Sequence, residues 1–175
     1  MFQGLSPKYH DGRYDILFPG SEIPKWFTNQ CLGDKVNIME PFSHLCNDWI
    51  GIAVCVVFCT LPPEGYKIVS CLFSVNGKYM SFALYIKKKM VSSLDHIWLL
   101  YLLPQNFSEE DIKSLWECDE NGFRHIGITI EEGISGLVKK CGLRVVYKKD
   151  IEDLNSTMVQ CSNNSIIPYT GLKSP

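Results

Sequence analysis

The sequence predicts an all-β protein: an antiparallel β-sandwich of about eight or nine short strands with one short inserted helix. Segments rich in Val, Ile and aromatic residues recur along the chain, with turn signals at intervals of about 8 to 12 residues. The pair Asn76-Gly77 separates two such segments and is the strongest short signal for a β-hairpin. Only one segment has the spacing of apolar residues that is typical of a helix.

The predicted strands differ in how deeply they should be buried. Residues 35–38 alternate polar and apolar side chains, as a strand with one buried face does. Residues 49–60 are continuously apolar and rich in Val, which indicates a strand covered on both faces. In chain order, the predicted strands are residues 14–18, 35–38, 49–60, 67–75, 78–86, 97–103, 123–130 and 138–147.

The single helix is predicted to begin immediately after Ser108. Ser108 and Asp111 have the spacing of a capping box, and acidic residues occupy the first turn. Ile112, Leu115 and Trp116 follow at helical spacing and give the helix one apolar side. Of the four tryptophans, we expect core or near-core positions for Trp26, Trp49 and Trp98, whereas Trp116 could be exposed.

The bulk composition is that of one globular domain. The chain has 175 residues, of which 46% are apolar and 12% aromatic, enough to bury a core. We expect residues 14–150 to form the sandwich. Residues 1–13 are polar and are interpreted as a lead-in from an upstream region. Residues 151–175 are rich in Asn, Ser and Thr, which predicts a flexible tail.

The charge balance and the apolar runs argue against nucleic-acid and membrane partners. Lys and Arg total 17 against 19 for Asp and Glu, so the net charge of −2 gives no general attraction to polyanions. The longest apolar run, residues 49–59, is too short to span a bilayer. The first residues lack the apolar region of a signal peptide. We therefore expect a protein that stays in solution, in the cytoplasm or the nucleus.

The cysteine spacing favours free thiols over disulfides or a metal site. The sequence has 8 cysteines, and no pair has Cys-x-x-Cys spacing. Cys55 and Cys59 lie in one predicted strand, roughly 13 Å apart at about 3.3 Å per residue. That separation is too large for a disulfide or a shared metal ion. His44 and Cys46 lack a second pair of ligands at a matching distance, so we expect reduced cysteines, no metal and no cofactor.

No group of residues predicts an active site. Asp95 precedes His96, but neighbouring side chains of a strand point to opposite faces, so Asp95 cannot orient His96 by contact within the strand. A structural role for His96 is therefore favoured over catalysis. Cys55 could be considered as a nucleophile, but it then has no histidine to act as its general base. Gly133 and Gly136 lack the Lys-Ser/Thr of a phosphate-binding loop. We expect no enzymatic activity.

The most informative segment is the rigid corner at residues 19–27. Pro19 and Pro24 fix φ near about −65° and donate no backbone hydrogen bond, and Gly20 permits a tight turn. The corner ends in Trp26 and Phe27, which we expect to point inward, so that Trp26→Ala costs roughly 3 kcal/mol or more. In order, the corner residues are Pro19, Gly20, Ser21, Glu22, Ile23, Pro24, Lys25, Trp26 and Phe27.

This corner resembles the start of the domain that follows the leucine-rich repeats in plant TIR-type nucleotide-binding immune receptors. That domain is called the C-terminal jelly-roll and Ig-like domain, or C-JID. Three further stretches resemble the same family in the same order, and the four together cover residues 14–150. They are the buried strand with Gly51 and Cys55, the Asp-His-x-Trp strand with His96 and Trp98, and the closing strand with Cys141, Gly142 and Tyr147. Lys25 stands where the family often has Glu.

The resemblance implies a jelly-roll/Ig-like sandwich in which these motif residues are structural. It also implies a non-catalytic domain that contacts a pathogen effector protein together with the adjoining leucine-rich repeats of the same chain. In such receptors the contact releases the nucleotide-binding module, the receptor oligomerises, and a separate TIR domain cleaves NAD. The nucleotide-binding and TIR motifs are absent from this sequence, and we expect the isolated domain to be a monomer.

Contact with a partner is expected on loops, because loops vary without disturbing a core. The longest predicted loops are residues 41–48, 61–66 and 87–93. Tyr66 would supply an aromatic anchor, and Lys87, Lys88 and Lys89 would steer an acidic partner surface. The alternative for the lysines is a solvated loop that discourages pairing between sheet edges.

A carbohydrate-binding β-sandwich is the alternative function, because jelly rolls often bind sugars. Such a module should present two or three exposed aromatic side chains on one face, often beside a calcium site. The sequence places most of its aromatic residues in apolar strands and has no Asp-rich calcium loop. The sequence therefore favours protein recognition.

Overall fold

The computed structural model describes residues 14–41, 48–62, 65–90, 93–132, 136–151 and 159, and these form the predicted antiparallel β-sandwich. The helix α1 (Glu109–Leu115) follows a 3-10 turn at Pro104–Asn106, and another 3-10 turn, Lys148–Asp150, follows the last strand. The nine strands of the described part are β1 (Tyr14–Pro19), β2 (Asn29–Leu32), β3 (Lys35–Pro41), β4 (Trp49–Thr60), β5 (Gly65–Val75), β6 (Lys78–Met90), β7 (Asp95–Leu102), β8 (Phe123–Glu132) and β9 (Gly136–Tyr147).

Several sequence-based expectations concern residues that the structure does not describe. The lead-in at residues 1–13 lies outside the described residues, as do His44, Cys46 and all but two residues of the tail at 151–175. The domain boundaries therefore stay predictions. In the ranges given above, no helix is long and apolar enough to cross a membrane.

The strands form two antiparallel sheets that pack face to face. The five-stranded sheet has the order β1-β7-β4-β9-β2, and the four-stranded sheet has the order β3-β8-β5-β6. β2 and β4 belong to the five-stranded sheet, whereas β3 and β5 belong to the four-stranded sheet. The chain therefore crosses between the two layers at each step from β2 to β5. This arrangement confirms the predicted fold class, an all-β sandwich.

The central position of β4 in the five-stranded sheet explains its continuous apolar sequence. Val54 and Val56 face the four-stranded sheet and are fully buried in the core between the sheets. Ala53 and Cys55 alternate with them and are equally buried, in a second apolar cluster on the outer side of the same sheet. The expectation of a strand covered on both faces is confirmed.

Asn76 and Gly77 form the turn between β5 and β6, as predicted. Their φ angles are 48° and 81°, so both residues adopt the left-handed conformation that a type I′ turn requires. The backbone N–H of Asn76 donates to the carbonyl oxygen of His125 at 2.8 Å. The side-chain oxygen of Asn76 accepts from the N–H of His125 at 3.0 Å, so the turn is attached to β8.

The helix α1 begins where the capping pattern predicts. The hydroxyl of Ser108 accepts a hydrogen bond from the N–H of Asp111 at 3.1 Å. The Asp111 carboxylate accepts the N–H and the hydroxyl of Ser81 at 3.0 and 2.6 Å, which attaches α1 to β6. Burial alone would raise the pKa of the Asp111 carboxyl, but the hydrogen bonds from Ser81 and Ser108 lower it below its usual value.

The structure contains a strand that the sequence did not predict and extends another. β2 (Asn29–Leu32) pairs with β9 at the edge of the five-stranded sheet, and all its side chains are exposed. A fully exposed strand has no alternation of apolar and polar residues to detect. β6 continues to Met90, beyond the predicted end at residue 86.

Candidate interaction surface

The corner at residues 19–27 covers the outer face of the five-stranded sheet. Ile23 is 6% exposed and Phe27 is 1% exposed, and both belong to the apolar cluster that includes Cys55 of β4. Trp26 is half-buried against this cluster, a near-core position, and its ring meets that of Phe27 edge-on at a centroid distance of 5.2 Å. The corner therefore closes one broad side of the sandwich.

Outward-facing residues of β9 hold the corner in place. Gly142 lies beneath Phe27, and a Cβ atom at position 142 would stand 3.3 Å from the Phe27 side chain. The guanidinium of Arg144 lies 4.2 Å from the centroid of the Trp26 ring, within range of a cation–π interaction. The corner and the closing strand are therefore parts of one packing unit, although about a hundred residues separate them in the sequence.

The other corner residues divide between packing and solvent. Gly20 fits closely against β7, because a Cβ there would lie 2.8 Å from the Ile97 side chain. Glu22 forms a 2.9 Å ion pair with Lys140 of β9. The carbonyl oxygen of Pro24 accepts a hydrogen bond from the backbone N–H of Phe27 at 3.0 Å, and this bond closes the turn. The exposed members of the corner are Pro19, Ser21, Glu22 and Lys25.

Three motif residues of the neighbouring strands have packing roles. Gly51 lies so close to β7 that a Cβ would collide with the carbonyl oxygen of Leu102. His96 is 8% exposed and stacks on Phe58 with ring centroids 5.9 Å apart. Trp98 is fully buried, which places it in the core as expected.

Tyr147 links the two sheets at one end of the sandwich. Its hydroxyl donates to the carboxylate of Glu40 on β3 at 2.5 Å. Burial and the neighbouring carboxylate both raise the pKa of Tyr147, so the hydroxyl stays protonated and remains a donor. Arg124, opposite Glu40 on β8, is buried and donates to the carbonyl oxygen of Leu115.

The residues considered for catalysis do not come together. Cys55 faces the outer apolar cluster, whereas His96 faces the core, so they lie on opposite sides of the five-stranded sheet. Asp95 forms an ion pair with Lys139 at 2.7 Å. Among the described residues, no group of three or more His, Cys, Asp or Glu could hold a metal ion. The described cysteines that form no disulfide are Cys31, Cys55, Cys59, Cys71, Cys118 and Cys141.

The outer face of the four-stranded sheet presents exposed aromatic and basic side chains. Its exposed large residues on β5 and β6 are Tyr66 (71%), Ile68 (44%), Tyr79 (67%) and Tyr85 (37%). The strand register places Lys89 opposite Tyr66 and Lys87 opposite Ile68, and both lysines are exposed. We call this surface the tyrosine–lysine face, which consists of Tyr66, Ile68, Tyr79, Tyr85, Lys87 and Lys89.

The prediction that Tyr66 and the three lysines lie on loops is wrong. Tyr66 belongs to β5, and Lys87, Lys88 and Lys89 belong to β6. Because β6 is an edge strand, a run of lysines there is tolerated and discourages pairing with another sheet. Successive side chains point to opposite faces, so Lys87 and Lys89 share a face with Tyr66, while Lys88 points the other way and is half-buried.

Ile68, Tyr79 and Tyr85, the other members of the face, were not predicted from the sequence. Residues 42–47, 63–64 and 91–92 of the predicted loops lie outside the described residues. The signal that could have revealed the face is the alternation in β6, where buried Leu84 and Ile86 flank exposed Tyr85 and precede exposed Lys87. Tyr79 fits the same alternation, and despite the register shift between Leu72 and Ser74 it lies opposite Ser74 on the outer face of the sheet.

The family of the chain follows from its match to a family model. The model of the C-JID domain matches residues 18–152, and the chain belongs to this family of domains. Disease resistance protein RPS4 of Arabidopsis thaliana is 30% identical over 166 residues, covering 83% of this chain and 13% of that protein. Protein SUPPRESSOR OF npr1-1, CONSTITUTIVE 1 is 27% identical over 146 residues (81% and 9%). Disease resistance protein RPP5 is 25% identical over 145 residues, covering 80% of this chain and 9% of that protein. These two relatives are also from Arabidopsis thaliana. The chain thus spans only 9% to 13% of these relatives.

Proposed function

We propose that this chain is the non-catalytic recognition domain of a plant intracellular immune receptor of the TIR-type nucleotide-binding class. In that receptor it contacts a pathogen effector protein together with adjoining leucine-rich repeats, and the contact activates the receptor. The single observation that carries the proposal is the difference between the two broad sides of the sandwich. The corner covers one side, whereas the tyrosine–lysine face leaves the other exposed.

The composition of the tyrosine–lysine face suits a protein partner. Tyrosine is enriched among residues that contribute most to protein–protein binding, because its ring buries a large area and its hydroxyl still finds a hydrogen-bond partner. Lys87 and Lys89 add positive charge beside Tyr66 and Ile68. We therefore propose an effector surface that is acidic around an apolar centre, since complementary charge accelerates association.

The rigid β-sheet also suits this role. Side chains on paired strands are held in fixed relative positions, so less conformational entropy is lost when they bind than for a mobile loop. The attachment of β6 to α1 through Ser81 and Asp111 restrains the strand that carries Tyr79 and Tyr85. The face is thus organised before the partner arrives.

Further properties of the receptor belong to the same proposal. We propose that the isolated domain is a monomer without a cofactor, and that the intact receptor oligomerises on activation. The receptor would act in the cytoplasm or the nucleus, where the cysteines of this chain stay reduced. NAD cleavage would belong to a TIR domain elsewhere in the receptor, since the chain spans only a small share of its relatives.

The test is a screen of secreted pathogen proteins for binding to the receptor that contains this chain. For each protein that binds, association rates are compared for the wild type and the double variant Lys87→Glu/Lys89→Glu. The matched control is Lys25→Glu/Lys113→Glu, which makes the same charge change at two exposed lysines that do not belong to the face. We expect a decrease of about tenfold or more for the first variant and less than about twofold for the control.

Two tyrosine variants test the aromatic part of the face. Tyr66→Ala and Tyr79→Ala should each weaken effector binding by about tenfold, as truncation of an interface anchor does. Unchanged binding in both tyrosine variants and in the lysine variant, with melting temperatures equal to the wild type, would place effector contact elsewhere on the molecule.

A carbohydrate-binding function is the second candidate, because the structure places three exposed tyrosines on one face. This is the arrangement that a sugar-binding sandwich would show. Titration of the chain with a panel of plant and microbial oligosaccharides tests it. Sugar binding that is lost in Tyr79→Ala but retained in Lys87→Glu/Lys89→Glu would support this candidate, because sugar rings stack on aromatic side chains without needing the charges.

A further inference from the structure

Cys31 and Cys141 are direct partners in the antiparallel pairing of β2 and β9. Directly opposite residues of an antiparallel pair project to the same face of the sheet. Cys31 is exposed at the edge of the sheet, whereas Cys141 is fully buried. Within the described residues, both carry free thiols. One thiol is thus accessible to reagents in solution, and the other lies directly beside it.

The backbone geometry is compatible with a bond between the two sulfur atoms. Gly33 donates to the carbonyl oxygen of Lys139 at 2.8 Å, which marks these two residues as a hydrogen-bonded pair. Because such pairs alternate along an antiparallel ladder, Cys31 and Cys141 form the next hydrogen-bonded pair, with Cα atoms about 5.5 Å apart. Disulfides have Cα separations of about 4.4 to 6.8 Å. The Cβ atoms of such a pair must approach by roughly 1 to 2 Å, and we expect a four-residue edge strand to make that movement.

The two thiols differ in accessibility, and this fixes the order of reaction. Burial, and to a lesser extent the neighbouring Cys31, raise the pKa of the Cys141 thiol to about 12, so Cys141 is not the group that attacks a reagent from solution. Cys31 reacts first. Cys141 then needs only to reach a sulfur atom that is already next to it.

We propose that Cys31 and Cys141 form an oxidation site that hydrogen peroxide converts into a cross-strand disulfide. In the first step the Cys31 thiol loses its proton and the thiolate attacks one peroxide oxygen; the O–O bond breaks, Cys31 becomes a sulfenic acid, and the leaving hydroxide takes up a proton and departs as water. In the second step the Cys141 sulfur attacks the Cys31 sulfur, loses its proton and displaces a second water. Two thiols lose two electrons in total, and one peroxide gains them.

The position of this bond gives it a structural consequence. Gln30, next to Cys31, donates to the carbonyl oxygen of Phe27 at 2.7 Å, and Gly142, next to Cys141, lies beneath the Phe27 ring. A covalent link between β2 and β9 therefore fixes both strands that support the corner. We expect the oxidised protein to be more stable than the reduced protein, because the link closes a long loop of the unfolded chain.

The experiment is oxidation of the full chain with hydrogen peroxide, followed by alkylation under denaturing conditions and mass spectrometry without reductant. The expected product has lost two alkylatable thiols and contains a cross-linked peptide pair with residues 31 and 141. Its melting temperature should rise by about 5 °C or more. Reduction should reverse both changes.

Two single variants complete the test. Cys31→Ser changes an exposed residue and should abolish both the cross-link and the rise in melting temperature, while Cys118→Ser, at another exposed cysteine, should leave both intact. A dimedone-type carbon nucleophile should trap the sulfenic acid at Cys31 before the disulfide forms. Cross-links that join other cysteines, or a Cys31 that is oxidised while Cys141 is still fully alkylated, would overturn the proposal.

Discussion

Arg144 is bound to Trp26 through both the ring and the backbone. Its guanidinium carbon lies 4.2 Å from the ring centroid, and one nitrogen donates to the carbonyl oxygen of Trp26 at 2.5 Å. A second guanidinium nitrogen donates to the buried carboxylate of Asp150 at 2.9 Å. The same carboxylate accepts a hydrogen bond from the N–H of Tyr147 at 3.0 Å. One arginine of β9 therefore connects the corner to the turn that follows β9.

Phe27→Ala should destabilise the protein more than Trp26→Ala. Phe27 is 1% exposed, so its truncation should cost about 3–5 kcal/mol. Trp26 is only half-buried, so its expected cost falls from the roughly 3 kcal/mol or more predicted from the sequence to about 2–3 kcal/mol. Urea denaturation of both variants measures the two free energies of unfolding. A larger loss for Trp26→Ala, or no loss in either variant, would contradict the packing of the corner described above.

Gly51→Ala should be more damaging than Gly142→Ala. At position 51 an added Cβ meets a backbone carbonyl oxygen of a paired strand, which cannot move without disrupting the sheet. At position 142 the Cβ meets the Phe27 side chain at 3.3 Å, which can shift slightly. We expect a cost of about 1–3 kcal/mol for Gly142→Ala and more for Gly51→Ala. Thermal melting checks this order, with exposed Ser21→Ala as the control.

The stability of the protein should fall in acid partly through Asp111. Hydrogen bonds hold the folded-state pKa of Asp111 below the unfolded value of 3.8, so the ionised carboxylate stabilises the fold fully above that value. This contribution is lost as the pH falls through the lower folded-state pKa. Asp111→Asn should therefore lower stability at pH 7 and flatten its decrease below about pH 4.

Chemical denaturation at a series of pH values measures this effect. Glu109→Gln is the control, because it removes a charge from an exposed position in the same first turn without touching Ser81. If stability decreases equally steeply below about pH 4 in Asp111→Asn and in the wild type, other groups determine the acid sensitivity.

The chain purified without an oxidant should contain eight free thiols. The sequence has 8 cysteines, and thiol titration after denaturation without reductant should count all of them. Metal analysis should find clearly less than one zinc per chain, because no pair of cysteines has the spacing of a zinc site. One bound zinc, or two missing thiols before any oxidant is added, would contradict the sequence-based reasoning.

The sequence predicted those parts of the fold whose local pattern matches their environment. β4 was predictable because both of its faces are buried, and the β5–β6 turn because Asn and Gly tolerate the left-handed conformation. β2 was not predictable, because its four exposed residues have no apolar face and its position depends on β9. Local pattern does not encode such a long-range pairing.

The position of the candidate interaction surface was harder to predict than the fold. The sequence identified Tyr66 and the three lysines as contact residues but assigned them to loops, since a run of lysines has no hydrophobic period. The placement of Tyr66, Lys87 and Lys89 on one face depends on the register of β5 against β6, which pairs Tyr66 with Lys89. Likewise, the corner was expected to point inward, but only the three-dimensional structure reveals that it packs on the outer side of a sheet.

The position of the corner also affects where this domain tolerates change over evolutionary time. Ile23 and Phe27 pack on Gly142 and on β4, so replacing any of these residues disturbs the packing of the corner. We therefore expect this side of the molecule to vary little among related chains. Replacements of the exposed tyrosines and lysines leave the core untouched. Substitutions can therefore diversify one side of this sandwich while the opposite side preserves the fold.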